Sequence, residues 1–234
     1  VKGEDHGPLS SLRSLIGTTR LFAGLDGEAL DELSRQSRLR SYRRGELVFL
    51  EGDPGDSLMT VVSGLVKVYV TSARGDDLVL ATVGPGESFG ELSLIDGRGR
   101  SATAETVEAS SLLIVDRAGF VDLLRRRPEL VERLLHNLGA LVRRLTDQAG
   151  DLVFLDLPGR IAKLLLGLAD ASGAGEHADI EVPFSQSDLA HMVGASRQTV
   201  NQVLRTFQAL GYIEVSGRTL RILRTDALRR RARD

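Results

Sequence analysis

Phe89-Gly90-Glu91-Leu92-Ser93-Leu94, followed across a glycine-rich loop by Arg100-Ser101-Ala102, brings a carboxylate, a guanidinium and a hydroxyl into one short stretch. Gly90 lets backbone approach a ligand closely, and a short helical turn after it would aim N–H groups at an anion. Glu91 can accept from sugar hydroxyls, while Arg100 offers a fork to phosphate with Ser101 as a neutral donor beside it. Each charge-assisted hydrogen bond of this kind contributes about 1.5–3 kcal/mol net. This is the chemistry of holding a sugar phosphate, and it needs no nucleophile.

A second stretch carries a different chemistry. Ser185-Gln186-Ser187-Asp188 reads as a capping box that opens a short helix, Gly194 closes it, and Ser196 caps a second helix. Ala190 is small where the two helices should cross, and Val193, Val200 and Leu204 supply the apolar contacts that set a steep angle. On the second helix Arg197, Gln198, Asn201, Gln202 and Arg205 share one face, opposite Val200, Val203, Leu204, Phe207 and Leu210. Long polar side chains on an exposed helix suit a major groove, where Arg pairs with guanine and Gln or Asn with adenine. Two strands then flank Ser216-Gly217-Arg218, a hairpin with a basic tip suited to phosphate. The residues expected to contact DNA are Ser185, Ser196, Arg197, Gln198, Thr199, Asn201, Gln202, Arg205 and Arg218.

These stretches need elements to position them. From Ser37 to Asp116 short runs rich in Val, Leu, Tyr and Thr are broken at Gly52-Asp53-Pro54-Gly55, Ser63-Gly64, Arg74-Gly75-Asp76 and Gly84-Pro85-Gly86, which predicts an antiparallel sandwich or roll. A helix is expected over Asp26 to Gln36. After Pro128 the period changes, and Leu134, Leu138, Leu141, Leu145, Gln148 and Leu152 alternate in steps of four and three, an a/d seam that asks for a partner helix. Because symmetric dimers are the commonest oligomers and suit DNA readers, a homodimer through this helix is expected. Asp156 before Pro158 is a helix cap and marks a hinge.

The composition is that of a two-domain globular chain: 234 residues, 42% hydrophobic and 26% charged, with no apolar run long enough for a bilayer. Val1 to Pro8 lacks the basic start and apolar core of a signal peptide, so the cytoplasm is the expected location. With no cysteine, disulfides, thiolate metal sites and a cysteine nucleophile are excluded. His6, His136, His177 and His191 are scattered, so neither a metal site nor a catalytic triad is expected. Charge divides along the chain, with 11 Lys/Arg against 8 Asp/Glu from Pro158 onward and 19 against 24 before it. The basic end includes the tail Arg229-Arg230-Arg231-Ala232-Arg233.

With these residues in hand, the chain resembles the CRP/FNR (catabolite-activator) family from about Leu21 to Arg224. The resemblance rests on Gly90-Glu91-Leu92, Arg100-Ser101-Ala102, Phe154-Leu155-Asp156 and Val193-Gly194-Ala195-Ser196-Arg197-Gln198-Thr199-Val200. It implies an α+β architecture: an N-terminal extension (1–20), a cyclic-nucleotide-binding β-roll (21–127), a dimerisation helix and hinge (128–156) and a winged helix-turn-helix (157–234). It implies a non-enzymatic, dimeric transcription regulator acting on a pseudo-palindromic duplex, with RNA polymerase as a further partner and cyclic AMP as the first ligand to consider. Gly90, Glu91, Leu92, Arg100 and Ser101 would hold ribose and cyclic phosphate, with Leu145 and Thr146 at the base.

Departures from the family pattern point elsewhere. Leu145 replaces a threonine that contacts adenine in cyclic-AMP-responsive members, although Thr146 matches its neighbour. Leu141 falls where some members brace the glutamate with arginine, and Gln198 and Gln202 replace a glutamate and an arginine of the reading helix. Cyclic GMP as ligand, or a ligand-independent DNA binder with a vestigial pocket, are the alternatives.

Overall fold

The computed structural model describes residues 8–171, 179–181, 184–216 and 219–233. The chain forms two compact units, Val1–Val70 with Ala81–Leu141 and Thr71–Leu80 with Val142–Asp234. Up to the long helix the chain forms helices α1 (Pro8–Thr18) and α2 (Gly27–Arg35), strands β1 (Ser37–Tyr42), β2 (Leu47–Phe49), β3 (Ser57–Ser63), β4 (Val66–Thr71), β5 (Asp77–Val83) and β6 (Ser88–Phe89), then α3 (Glu91–Asp96), β7 (Thr103–Thr106), β8 (Ser110–Asp116) and α4 (Arg117–Arg126), all in the first unit except Thr71 and Asp77–Leu80. The strands make two four-stranded sheets, β1-β8-β3-β6 and β2-β7-β4-β5. Their described registers are antiparallel.

Side-chain alternation explains the layering. On β8, Leu112 and Ile114 join Met59, Val61, Val66, Val83, Phe89 and Ala104 in a core fed by both sheets. Their neighbours Leu113 and Val115 point the other way, into a second core with Ile16, Phe22, Leu33, Phe120 and Leu130 of the helices. A strand buried on both faces reads as an unbroken apolar run, as Leu112 to Val115 does. Phe22 and Phe120 meet edge to face at 6.2 Å within the second core.

The long helix α5 (Pro128–Phe154) begins in the first unit and ends in the second. Its outward apolar stripe shares Leu138, Leu145 and Leu152 with the expected seam and departs from it elsewhere. Leu134 is 6% exposed and belongs to the core of its own unit, and Leu138 is packed against that core. The solvent-facing residues are instead Val131, Leu135, Val142, Ala149 and Leu152, with half-buried Leu138 and Leu145 between them completing alternating steps of four and three, and Leu135 and Val142 each 61% exposed. The heptad survives, but its phase is set by Leu130 and Leu134, which turn inward first.

The second unit adds α6 (Leu157–Ala171), β9 (Asp179–Glu181), α7 (Gln186–Val193), α8 (Arg197–Ala209), β10 (Ile213–Ser216), β11 (Thr219–Ile222) and α9 (Thr225–Arg231). Its sheet has the order β10-β11-β9, with β10 and β11 paired from Ile213↔Ile222 to Ser216↔Thr219. Asp226 opens α9 between Arg224 and Arg230, which approach it to 3.3 and 2.9 Å. The Arg224 hydrogen bond, working against desolvation and aided by Arg230, pushes its carboxyl down from 3.8 to about 2.

Leu134→Ala should cost about 2–5 kcal/mol in urea unfolding. Leu135→Ala should leave unfolding of the monomer within about 0.5 kcal/mol and weaken self-association measured by sedimentation. Because the Asp226 pKa is depressed on folding, its contribution to stability is complete above pH 3.8 and disappears as pH falls through about 2. Thermal melts should therefore show wild type above Asp226→Asn at pH 5, with the gap closing towards pH 2.

Candidate ligand pocket and nucleic-acid interface

Arg100 lies at the centre of the first unit's polar site and is only 3% exposed. Its Nη1 donates to the Gly90 carbonyl at 2.8 Å, and Nη2 donates to the Ser57 carbonyl at 2.8 Å and the Ser57 hydroxyl at 3.3 Å. The Phe49 ring lies 4.4 Å from the guanidinium carbon. Such a stack suits a weakly hydrated cation. The backbone is fixed too, because Arg100 N–H donates to Asp53 O and Arg100 O accepts from Gly52 N–H. Desolvation lowers the guanidinium pKa, opposed by the charges of Asp56, Asp53 and Glu91.

One donor remains. Arg100 Nε is buried and makes no hydrogen bond among the described residues. A buried unpaired donor on a charged group is costly, so a fork held from one side with Nε left over fits an anionic oxygen. Gly90 explains why the fork is where it is: at φ +85° it adopts a left-handed conformation, and a Cβ there would lie 2.6 Å from Arg100 Nη1. Glu91, the first residue of α3, is half-buried, Leu92 is 38% exposed, and Ser101 is exposed beside Arg100. These five expected residues occur in one unit. Leu145 is half-buried on α5 and Thr146 is exposed, its hydroxyl donating to the Val142 carbonyl at 2.9 Å, both in the second unit. Sequence reasoning missed Phe49, Ser57 and Met59 around Arg100; Ser57 and Met59 alternate on one face of β3, but nothing local marks that face.

In the second unit the two-helix motif is built by its caps. Ser185 Oγ accepts from Asp188 N–H at 3.1 Å, and the Asp188 carboxylate accepts from Ser185 N–H at 2.9 Å, the reciprocal pair of a capping box. Gly194 closes α7 at φ 64°, ψ 49°. Ser196 Oγ caps α8 by accepting from Thr199 N–H at 3.2 Å, and its hydroxyl meets that of Thr199 at 2.7 Å. Helices α7 and α8 pack together, and Ala190 is fully buried, with Val193, Val200, Leu204 and Phe207 buried too. Leu210 departs from the expected apolar face: α8 ends at Ala209, and Leu210 is 54% exposed.

The opposite face is open. Ser196, Arg197, Gln198, Thr199, Gln202 and Arg205 are exposed and Asn201 is half-buried. Among the described residues Arg197 donates to Gln186, at 3.5 Å, and its guanidinium stands exposed. Ser185 is exposed at the start of α7, with its hydroxyl engaged by Asp188. Arg218 lies outside the described residues. Among the described residues no His, Asp and Glu cluster could hold a metal ion, and no helix is long and apolar enough to cross a membrane.

Known proteins show the same two parts in the same order. The cyclic nucleotide-binding domain family matches residues 39–127, and the Crp-like helix-turn-helix domain family matches residues 159–231. The chain is 36% identical over 221 residues to the CRP-like cAMP-activated global transcriptional regulator of Mycobacterium tuberculosis, covering 94% of this chain and 99% of that one. It is 36% identical to the cyclic AMP receptor protein of Thermus thermophilus, covering 86% and 91% of the two chains. Among solved structures, the c-di-GMP responsive global regulator CLP of Xanthomonas campestris superposes with a TM-score of 0.75 at 27% identity, covering 84% and 99%.

Gly90→Ala and Gly97→Ala separate backbone strain from displacement of the guanidinium. Both residues have positive φ, but a Cβ at Gly97 meets nothing closer than Arg117 at 3.9 Å. Each substitution should cost about 1–3 kcal/mol in strain. Gly90→Ala should cost more than Gly97→Ala in urea unfolding, because it also drives Arg100 off its carbonyl partners.

Proposed function

Because the chain belongs to the CRP/FNR family of transcription regulators, we propose that it works as a homodimer whose DNA affinity is set by a cyclic nucleotide bound at Arg100. The buried, unpartnered Nε of Arg100 carries this reading. The cyclic phosphate would take Nε and the outward guanidinium N–H, with the Ser101 hydroxyl beside it and Glu91 accepting from the ribose hydroxyl. Gly90, at φ +85°, lets the fork sit without a side chain in its way. Leu92, Leu145 and Thr146 would shape the contact with sugar and base. The cAMP-activated relatives favour cyclic AMP as the first ligand, while Leu145 in place of a hydroxyl argues for weak discrimination of adenine.

The exposed stripe from Val131 to Leu152 would bury itself against a second copy, presenting two α8 helices to one side of a duplex. Arg197, Gln198, Asn201, Gln202 and Arg205 would face base edges, with Ser185, Ser196, Thr199 and Arg218 at phosphates. The cytoplasm is where such a dimer meets its operator, with RNA polymerase as the partner that converts binding into transcription. A coupling of about 1–3 kcal/mol between the two sites is enough for a useful switch.

A second reading has its own support: the Nη1 and Nη2 partners of Arg100 come from its own unit, and Leu141 and Leu145 make α5 more apolar than a nucleotide-sensing helix requires. The protein would then bind DNA without a ligand. Titration calorimetry with cyclic AMP, cyclic GMP and cyclic di-GMP decides. Saturable binding that Arg100→Gln abolishes supports the pocket, and no heat at millimolar nucleotide leaves the ligand-independent regulator. On a duplex selected from a random pool, Arg197→Ala should lose about 1–3 kcal/mol at one base pair and relax specificity there. Equal loss on every sequence would make Arg197 a phosphate contact.

A further inference from the structure

The basic C-terminal segment reads in the sequence as a charged tail, yet it closes on the elbow between α5 and α6. Asp156, in that elbow, uses both carboxylate oxygens: Oδ1 accepts from the Gly159 N–H at 2.8 Å and caps α6, and Oδ2 contacts Arg231 Nη2 of α9. Desolvation opposes the charge, but the Gly159 N–H and Arg231 outweigh it and hold the carboxyl below the usual range. The two helices also meet through backbone, because a Cβ on Gly159 would lie 3.0 Å from the Arg231 carbonyl. Ala227 and Leu228 of α9 are buried, as are Ile161, Ala162 and Leu165 of α6. The last turn of α9 is therefore seated where α6 begins.

Two further cations brace the same elbow. Arg160 donates from Nη1 to the Leu155 carbonyl and from Nε to the Val193 carbonyl, each at 3.0 Å, joining the end of α5 to the end of α7. Lys163 reaches back to Asp151, in the last turn of α5, at 2.6 Å. Arg160 and Lys163 lie on α6 itself. Arg231 comes from 75 residues further along the chain, so it is the brace that makes elbow geometry depend on the C-terminal helix. An exposed ion pair contributes at most about 1 kcal/mol to stability. A contact of that strength does not hold the fold together, and its place at the elbow makes geometry the property it can influence.

We propose that α9 is a clasp and Arg231 a positioning residue for DNA reading: seated on Asp156, it fixes the elbow and with it the separation between two α8 helices, hence the half-site spacing the dimer accepts. This rests on the reading that two copies present α8 to one duplex. One inserted base pair rotates a half-site by roughly 35° about the duplex axis, so a rigid elbow rejects it and a loosened one accommodates it.

The experiment uses the full chain and fluorescence anisotropy on duplexes carrying the selected palindrome, the palindrome with one base pair inserted between the half-sites, and a single half-site. Arg231→Ala should reduce discrimination between the two spacings about fivefold while leaving single half-site affinity within about twofold. Asp156→Asn, which keeps an oxygen for the Gly159 cap, should behave alike, the double variant should add little, and Arg231→Lys should restore part of the effect. Unchanged spacing preference in Arg231→Ala overturns the clasp, as does an equal loss on palindrome and half-site, which is the mark of a phosphate contact or a weakened fold. Should the wild-type chain bind no duplex, the DNA reading fails and hydrogen exchange judges the clasp alone. Exchange at the Gly159 amide about fivefold faster in Arg231→Ala then sustains it, and unchanged exchange overturns it.

Discussion

A guanidinium taken out of water costs several kcal/mol unless its donors are met, and the first unit is arranged around meeting those of Arg100. The Gly90 and Ser57 carbonyls, the Phe49 ring and the acidic side chains of Asp53, Asp56 and Glu91 come from four separate segments. They converge because β3 and β6 are paired in one sheet and the loop at Gly52-Asp53 bonds to the Arg100 backbone. The β-roll is thus a means of assembling carbonyls around one charge and leaving a single edge of it unsatisfied.

The second unit solves a different problem with local means. Helices of 8 and 13 residues are too short to persist alone in water, and both depend on caps, on Ala190 at their crossing and on the apolar residues Val193, Val200, Leu204 and Phe207. What this leaves outward is a row of exposed polar side chains, Arg197 among them, whose contact with Gln186 at 3.5 Å is long for a hydrogen bond. Rigidity beneath and freedom above are the two requirements of a surface that must read base edges.

How much of this was legible in the sequence follows from chain separation. The capping box at Ser185 and Asp188, the Gly194 turn and the Ser196 cap each join residues no more than four apart, and the residue types name the geometry. The strands at 47–49, 57–63, 66–71, 77–83 and 110–116 were also legible from apolar runs bounded by turns. The sequence marked Arg100 as a candidate for an anion, but its partner Ser57, 43 residues away, was not legible, because strand pairing rather than local sequence brings it close. The phase of the α5 stripe was ambiguous for a related reason: Leu134 and Leu135 are both apolar, and the choice between them is made by a core assembled from α1, α2 and α4. The Arg231–Asp156 contact, between residues 75 apart, left no local sign beyond a run of arginines.

The inward anchor at Leu130 and Leu134 and the elbow at Leu155 turn α5 into a ruler with discrete graduations. Each residue added or removed between those points turns everything beyond it by about 100° and advances it 1.5 Å, while seven residues return it nearly to the starting azimuth about 10 Å further on. Length variation in this stretch is therefore quantised: insertions of seven preserve the outward stripe while lengthening the reach, and those of one or two turn the far end to a different azimuth.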